Sequence, residues 1–305
     1  MRESAAPASG ARHAFVQLVL AVALFGFSWP VMKTALEEGA APLWLAAGRA
    51  GLSALTSFAL LIALRRVRLP GARDLPIILT IGVFQLTAFF ALINLGLRYV
   101  PAGRSAVLAY TTSLWLVPLA AASGERIGLR RLSGVLLGLL GLVVLVNPLD
   151  LAVERRQLLG YVFLLLAALC WALAIFHSRR HAWRMTPLEA LPWQMLLATL
   201  LLFVLAGAVE PGGRMAPSAA ALLALLYLGV LAGPVATWAA TSVARALPTL
   251  VSSIGFLGVP VLGVLLSTLW LGEPLTLDLI AGAGLVLLGV AVVAVGASPA
   301  RGRRG

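Results

Sequence analysis

Long apolar runs separated by short polar segments recur along the whole chain. Ten of these runs are close to the length of about 20 residues that a helix needs to cross a bilayer. Their approximate limits are 14–36, 42–64, 75–97, 101–122, 132–149, 158–176, 187–209, 219–244, 249–271 and 275–296. Several runs begin at or beside a proline, where the missing backbone N–H removes no hydrogen bond. The pattern predicts an all-α integral membrane protein with ten transmembrane helices.

The composition excludes a water-soluble fold. Hydrophobic residues make up 61% of the 305 residues, charged residues make up only 11%, and the mean hydropathy is +1.01. Soluble domains carry about 25% charged residues, because their surfaces face water. The lipid bilayer is therefore the first partner that the sequence implies.

Positive charge is distributed unevenly over the two sides of the predicted bundle. The net charge is +12, and 16 of the 23 lysine and arginine residues fall on one side, against six on the other. Cytoplasmic loops of membrane proteins carry the excess of such residues. We therefore expect a multi-pass membrane protein with both termini in the cytoplasm. No basic segment mixed with aromatic residues lies outside the runs, so nucleic acid is not an expected partner.

The sequence lacks the usual patterns of catalytic and metal-binding residues. Cys170 is the only cysteine, and His13, His177 and His181 stand at the ends of runs without the spacing of ligands. We therefore expect no enzyme activity, no catalytic residue, no cofactor and no metal. A channel is also disfavoured, because it needs a continuous polar lining and these runs contain few polar residues.

The two halves of the chain resemble each other. Arg98 and Pro101 match residues 147 positions later, and Glu125 matches Glu273 after 148 positions. Each half holds five helices, an odd number, so the second copy must enter the membrane from the other side. We expect a first five-helix repeat over 1–149 and a second, inverted repeat over 150–305. Inverted repeats place a substrate site near the midplane and supply two conformations for alternating access.

Several ordered segments resemble the EamA family of the drug/metabolite transporter superfamily. They are LRYVPAGRSAVLAYTTSLW and SGERI in the first half, and LPTLVSSIGFLGVP and WLGEPL in the second. Within the family, the chain is most similar to bacterial amino-acid exporters, including the YddG group of aromatic amino acid exporters. The resemblance implies a carrier of the bacterial inner membrane that exports amino acids, possibly aromatic ones or a broad range, and related small metabolites. It also implies a central cavity among helices 1, 3, 4, 6, 8 and 9, supported by helices 5 and 10.

One departure from the family concerns a helix break. Family members often have proline at the position of Ser113, whereas Pro260 retains it in the second half. The resemblance therefore implies a break in the ninth helix and leaves a break in the fourth open, although Pro118 lies nearby.

Polar and aromatic residues within the runs are the candidates for a substrate site, because polar side chains are costly in lipid. Gln85 and Phe89 share a helix face, and Gln85 either lines the cavity or hydrogen-bonds to a neighbouring helix. The internal tryptophans either pack between helices or contact substrate, and the resemblance favours Trp171 as a cavity residue. The candidate substrate-binding residues are Trp29, Gln85, Phe89, Tyr110, Thr112, Trp171, Thr237 and Trp238.

Two cations stand inside or near the runs. Lys33 lies near the end of the first helix, and Arg49 lies about two turns into the second. Either both side chains extend to the membrane interface, or they form a positive vestibule that attracts carboxylates. A nucleotide-sugar or phosphorylated cargo is the alternative to amino acids, but it would need several such cations.

The positions of the glycines bear on helix packing, and those of the acidic residues bear on loop ends and on coupling. Gly134, Gly138 and Gly141 of the fifth helix, and Gly282, Gly284 and Gly289 of the tenth, allow close helix packing, either within one chain or at a homodimer seam. Glu125 and Glu273 are expected to cap or anchor loop ends. All 11 acidic residues lie at or near the ends of runs, so we expect a facilitative carrier or one coupled without a buried carboxylate.

Overall fold

The structure is a computed structural model that describes residues 8–147 and 154–296, with side chains from His13 onward except at 244, 245, 249 and 250. It confirms the all-α prediction, because ten helices in the described residues are long and apolar enough to cross a membrane. They are α1 (Ala8–Glu37), α2 (Pro42–Ala63), α3 (Leu75–Leu97), α4 (Ala102–Ala122), α5 (Leu129–Val146), α6 (Arg155–Ser178), α7 (Pro187–Val209), α8 (Ala219–Leu226, Tyr227–Val235 and Ala236–Ala246), α9 (Thr249–Phe256 and Gly258–Leu271) and α10 (Leu277–Gly296).

Successive spans cross in alternating directions, which defines two faces of the bundle. The basic face holds the loops α2–α3, α4–α5 and α6–α7, with Arg65, Arg66, Arg68, Arg73, Arg126, Arg130, Arg131, Arg179, Arg180 and Arg184. The opposite face holds Lys33, Arg98, Arg104, Arg155, Arg156 and Arg214. Some residues used in the charge count lie outside the described residues or side chains: Arg2, Arg12, Arg245, Arg301, Arg303 and Arg304. The predicted boundary between 149 and 150 also lies outside the described residues.

The inverted repeat is visible in the irregular parts of four helices. The middle of α3, Ile81–Ala88, and the middle of α8, Tyr227–Val235, are both wound as π-helix. Likewise, α4 divides into α4a (Ala102–Ala109) and α4b (Thr112–Ala122), and α9 divides into α9a (Thr249–Phe256) and α9b (Gly258–Leu271). π-Helical turns are rare and frequently mark functional sites. Their equivalent positions in the two halves identify α3, α4, α8 and α9 as the specialised helices of the fold.

The breaks in α4 and α9 have different causes. Pro260 cannot donate a backbone hydrogen bond and its ring crowds the carbonyl of Phe256, where α9a ends. In α4, where Ser113 replaces the proline, the Thr112 hydroxyl donates to the Ala109 carbonyl at 2.8 Å. Hydroxyl side chains that bond nearby carbonyls compete with the helical ladder. The fourth helix is therefore broken even without its proline.

Glycines allow the backbones of α5 and α10 to touch within one chain. A Cβ placed on Gly289 would lie 2.6 Å from the Gly138 nitrogen, and one placed on Gly141 would lie 2.6 Å from the Val286 nitrogen. Most of these glycine faces are therefore filled inside the chain, and a homodimer through the fifth and tenth helices stays a prediction. Gly284 is the exception, since no other atom lies within 4 Å of the Cβ that it would carry.

The two repeats also pack along α2 and α7 and along α1 with α8 and α9b. Ser53 on α2 donates a hydrogen bond of 2.8 Å to the Gly229 carbonyl in the π-helical part of α8. A Cβ on Gly229 would lie only 2.6 Å from the Leu52 Cβ, so this crossing is close. On α3, a Cβ placed on Gly82 would lie 2.7 Å from the Leu197 side chain of α7. The π-helical segments of α3 and α8 thus both lie where the two repeats meet.

Candidate functional site

The π-helical segment of α3 carries Gln85, a polar residue near the middle of that helix. Within the described part of the chain its amide has no hydrogen-bond partner, and the side chain is only half-buried. Its neighbour Thr87 behaves differently, because its hydroxyl donates to the Gly82 carbonyl at 2.7 Å. Gln85 is therefore free to donate and accept hydrogen bonds.

Phe89 and Trp171 are two predicted site residues that the structure brings together. Their ring centroids are 4.4 Å apart with an interplanar angle of 66°, an edge-to-face arrangement between α3 and α6. Both side chains are half-buried. They form an aromatic wall one turn away from Gln85.

Arg49 is buried deep in the bundle and does not extend to the interface. Only 7% of its surface is exposed, its guanidinium carbon lies 4.0 Å from the centroid of the Phe90 ring, and Nη1 lies 3.0 Å from the Met32 sulfur. It also lies within electrostatic range of Tyr227 on α8. No carboxylate of the described residues forms an ion pair with Arg49. A buried cation without a counter-ion is costly, so the position invites an anionic group.

Tyr227 is an interior polar residue that the sequence reasoning missed. Its hydroxyl donates to the Leu24 carbonyl of α1 at 2.7 Å, and its ring contacts Phe27 edge-to-face at 5.5 Å. A tyrosine in the middle of an otherwise apolar run was the signal that could have found it. Phe90 and Met32 were also missed, because apolar residues carry no such signal.

Tyr110 and Thr112 lie at the break between α4a and α4b. The Thr112 hydroxyl proton is used within the helix, as described above, so this side chain offers only an acceptor. Tyr110 is half-buried at the end of α4a, and no hydrogen bond of its hydroxyl is found within the described residues. Tyr110 is thus the more available donor of the two.

Trp29 lies in a closed seam near the opposite face. It is buried, and a Cβ on Gly263 would lie 3.1 Å from its indole ring and 2.9 Å from the Ala106 Cβ. Helices α1, α4a and α9b meet closely at this seam. Trp29 therefore fills the seam and does not line an open cavity in this conformation.

Lys33 belongs to the same end of the bundle. Its ammonium group donates to the Leu97 carbonyl at 2.8 Å and lies 3.5 Å from the Val100 carbonyl, at the end of α3. A cation at a helix C-terminus satisfies carbonyls that lack helical partners. This contact gives Lys33 a capping role, whereas Arg49 has no comparable backbone contact.

Trp238 lies apart from the other candidates, in a cavity at the basic face. The cavity has a volume of ≈ 280 Å³ between α2, α7 and α8, and Trp238 is 41% exposed. Its other lining residues are Leu61, Arg66, Thr186, Leu188, Glu189, Thr241 and Ser242. Thr237 beside it is half-buried. This group combines polar and apolar side chains, unlike the aromatic wall of Phe89 and Trp171.

The bundle is closed at one end and looser at the other. Toward the opposite face, α4a packs directly against α9b. Toward the basic face, the equivalent segments α4b and α9a do not pack closely on each other in the part of the chain that the structure describes. The seam of α4a and α9b is therefore closed at the opposite face.

Comparison with known proteins places this architecture among transporters. A model of the EamA-like transporter family matches residues 14–147 and 158–295, one match in each half. The chain is 31% identical over 210 residues to a "probable terminal-alkyne amino-acid exporter" of Streptantibioticus cattleyicolor, covering 67% of each protein. It is 28% identical over 193 residues to a "probable amino-acid metabolite efflux pump" of Escherichia coli.

Other matches are more distant. An uncharacterized transporter of Bacillus subtilis, YoaV, is 22% identical over 182 residues, and the matched part spans 62% of that relative and of the efflux pump alike. A crystal structure at 22% sequence identity shares the fold, with a TM-score of 0.64 over 91% of this chain and 98% of that chain.

Proposed function

This chain belongs to the EamA-like transporter family, and from that premise we propose that it exports amino acids and related small metabolites by alternating access. It is a multi-pass membrane transporter; the cargo and its direction are our proposal. Two relatives carry names that refer to amino-acid export or efflux, which supports this cargo. The main structural support is Arg49, a buried cation without a carboxylate partner among the described residues.

In the proposed site, Arg49 binds the substrate carboxylate. A guanidinium offers a planar, two-pronged donor that matches a carboxylate, and its bonds are strengthened where water is excluded. Arg49 contacts or faces α1, α3 and α8 through Met32, Phe90 and Tyr227. These three helices are among the six that the family resemblance places around the cavity.

The substrate side chain then meets the aromatic wall of Phe89 and Trp171. These rings provide an apolar surface that accepts aromatic and other large side chains without hydrogen bonds. Gln85 and Tyr110 supply hydrogen bonds nearby, and Thr112 supplies an acceptor. Trp238 and Thr237 belong to the route between this site and the basic face. Trp29 seals the other end.

We propose that the basic face is cytoplasmic, with both termini on that side. The arginine-rich loops support this orientation through the positive-inside rule. In that orientation we propose that this conformation receives substrate from the cytoplasm, and the closed seam at the opposite face supports this.

A phosphorylated cargo fits less well. Lys33 is already engaged with the end of α3, so among the described residues a phosphate in the interior would meet Arg49 alone as a cation. Phosphate recognition usually gathers several cationic donors.

The driving force in our proposal is the substrate gradient itself, because no acidic residue lies near the middle of a described span.

Counterflow in proteoliposomes tests this proposal. Vesicles are loaded with an unlabelled amino acid, and a labelled one is supplied outside. We expect saturable exchange of amino acids and no exchange of the matching amines that lack the carboxylate. Equal exchange of amines, or no exchange of any amino acid by folded protein, would contradict the proposal. An imposed pH gradient is expected to drive no uphill accumulation.

A further inference from the structure

Glu273 fastens the second repeat to the first at the opposite face. Its carboxylate accepts hydrogen bonds from the backbone N–H groups of Ala102, at 2.5 Å, and Gly103, at 2.9 Å. These are the first amides of α4a, and Pro101 before them cannot cap the helix with its side chain. A carboxylate at a helix N-terminus also interacts favourably with the helix dipole. Glu273 therefore contributes to holding the seam of α4a and α9b closed.

The first repeat contains an equivalent glutamate, Glu125, in the inverted orientation. Glu125 follows Gly124 as Glu273 follows Gly272, and both glycines have positive φ angles, +86° and +67°. The backbone N–H of each glutamate bonds back to its preceding helix, at Ala120 and Ser267 respectively. The two glutamates thus leave their helices through related turns with a left-handed glycine, although the backbone bond spans five residues at Glu125 and six at Glu273.

The helix that would receive Glu125 is also built alike. α9a begins after Pro248 with backbone angles φ −54° and ψ 141°, and α4a begins after Pro101 with φ −54° and ψ 147°. In both helices the serine one turn later bonds back to the proline carbonyl, Ser252 in one and Ser105 in the other. The first backbone N–H groups of α9a therefore lie at the basic face. Their arrangement matches that of the α4a N–H groups that bind Glu273 at the opposite face.

In this conformation the Glu125 carboxylate forms an ion pair with Arg180. Its side chain is 51% exposed, and Oε1 lies 3.0 Å from an Arg180 nitrogen in the α6–α7 loop. An exposed ion pair of this kind contributes little to stability and is easily exchanged. Glu125 is thus available to bind elsewhere when the basic face closes.

We propose that Glu273 and Glu125 are alternating latches of the transport cycle. When the opposite face opens, Glu273 releases Ala102 and Gly103, and Glu125 binds the first amides of α9a. Each glutamate stabilises one of the two conformations, so the pair sets their ratio. This inference rests on the alternating access of the proposed function, but it does not depend on the identity of the cargo.

An additional ion pair makes the two latches unequal. Arg104 on α4a binds Asp278 at the start of α10, next to the Glu273 latch. The equivalent positions at the basic face hold Val251 and Arg130, which cannot form such a pair. The closed seam at the opposite face is therefore the more strongly fastened one.

Thiol labelling without substrate tests the latches. On a Cys170→Ser background, Val264→Cys serves as reporter, because a Cβ on Gly103 would lie 3.4 Å from the Val264 Cα in the closed seam. A membrane-impermeant thiol reagent is added to intact cells and, separately, to inside-out vesicles. We expect Glu273→Gln to raise the labelling rate from the opposite face about tenfold, since charged hydrogen bonds stabilise the closed state. Glu125→Gln should lower that rate by a similar factor.

The double variant and a control separate latching from general damage. Glu125→Gln combined with Glu273→Gln should return labelling toward the parental rate, because both conformations lose a latch. Glu154→Gln, an exposed glutamate at the opposite face, should leave the rate unchanged. If Glu273→Gln prevents folding, the exposed Glu125→Gln variant still tests the inference alone. Unchanged labelling in both single variants, or a rise in both, would overturn the proposal, whether or not amino acids are transported.

Discussion

The guanidinium carbon of Arg49 lies 4.0 Å from the centroid of the Phe90 ring, which places an arginine against an aromatic face inside a membrane protein. The Phe90 ring lies beside that of Phe89, with 6.3 Å between their centroids. The Phe89 ring in turn contacts Trp171, with 4.4 Å between centroids. A cation–π contact partly compensates the lost hydration of the arginine. The Met32 sulfur is the hydrogen-bond acceptor found for this guanidinium, and no carboxylate of the described residues pairs with it. The predictions about transport depend on this relationship.

Replacing Arg49 should separate transport from stability. In Arg49→Met we expect kcat/KM for amino acid exchange to fall by about 100-fold, because a charged hydrogen-bond pair with the substrate is lost. The melting temperature should stay the same or rise, since an unpaired buried charge is removed. Counterflow assays and thermal unfolding in detergent measure the two effects. Arg49→Lys should recover part of the activity, because it keeps the charge without the planar fork; full activity of the methionine variant would contradict the assignment.

The aromatic wall should determine affinity for large side chains. Phe89→Ala should raise KM for aromatic amino acids by about tenfold and affect alanine transport less, because the ring-to-ring contacts are lost. Phe15→Ala is the matched control, since Phe15 is 61% exposed on the outside of α1. Competition between labelled and unlabelled amino acids gives both values. An equal effect on all substrates would assign Phe89 to packing alone.

Two glycines of α10 should respond in opposite ways to alanine. Gly289→Ala should lower the free energy of unfolding by about 1–3 kcal/mol, because its Cβ would collide with the α5 backbone at Gly138. Gly284→Ala should be neutral or slightly stabilising, since its Cβ meets open space and alanine favours helix. Thermal unfolding of the two variants in the same detergent makes the comparison. Similar losses at both positions would contradict the packing of α5 against α10.

Asp74 should make stability depend on acid pH. Hydrogen bonds from the backbone N–H of Arg184, and then from those of Met185 and Gly71, lower the pKa of this carboxyl, against the opposing effect of burial. A lowered pKa in the folded state means that the ionised carboxylate stabilises the fold above the unfolded value of about 3.9. This stabilisation is lost as the pH falls through the lower folded value.

The measurement for Asp74 is a pair of melting curves. Asp74→Asn should melt at a lower temperature than the parent near neutral pH, because the α2–α3 loop loses its tie to the α6–α7 loop. The difference between the two proteins should shrink as the pH is lowered below about 4. A constant difference at every pH would show that the charge of Asp74 has no part in the effect.

Much of the fold could be predicted because lipid imposes simple demands. Hydrophobic runs gave the ten spans, and in several of them the limits agree with the structure, as in 75–97 and 187–209. Matching segments such as SGERI and LGEPL gave the inverted repeat. The break in α4 could not be read in the same way, because it depends on the hydroxyl of Thr112 and not on a proline.

The candidate site was predicted only in part, for a related reason. The sequence indicated Gln85 and Arg49 as unusual residues for a membrane span and Phe89 as a residue on the same helix face as Gln85, whereas the family resemblance favoured Trp171. It could not indicate that Phe89 touches Trp171, or that Lys33 caps α3 while Arg49 remains without an acidic partner in the described residues. Those contacts join residues that lie on different helices.

The sequence by itself determined that the protein lies in lipid, how many times it spans the membrane and that it is duplicated. Each of these follows from the order of apolar and polar residues along the polypeptide chain. The tertiary structure decided which face is closed, which glycines touch and where Glu273 binds. The physical reason is that these features depend on how helices from the two repeats approach each other. That approach is set by side-chain shape and backbone contact across the bundle, on which periodicity along the chain carries no information.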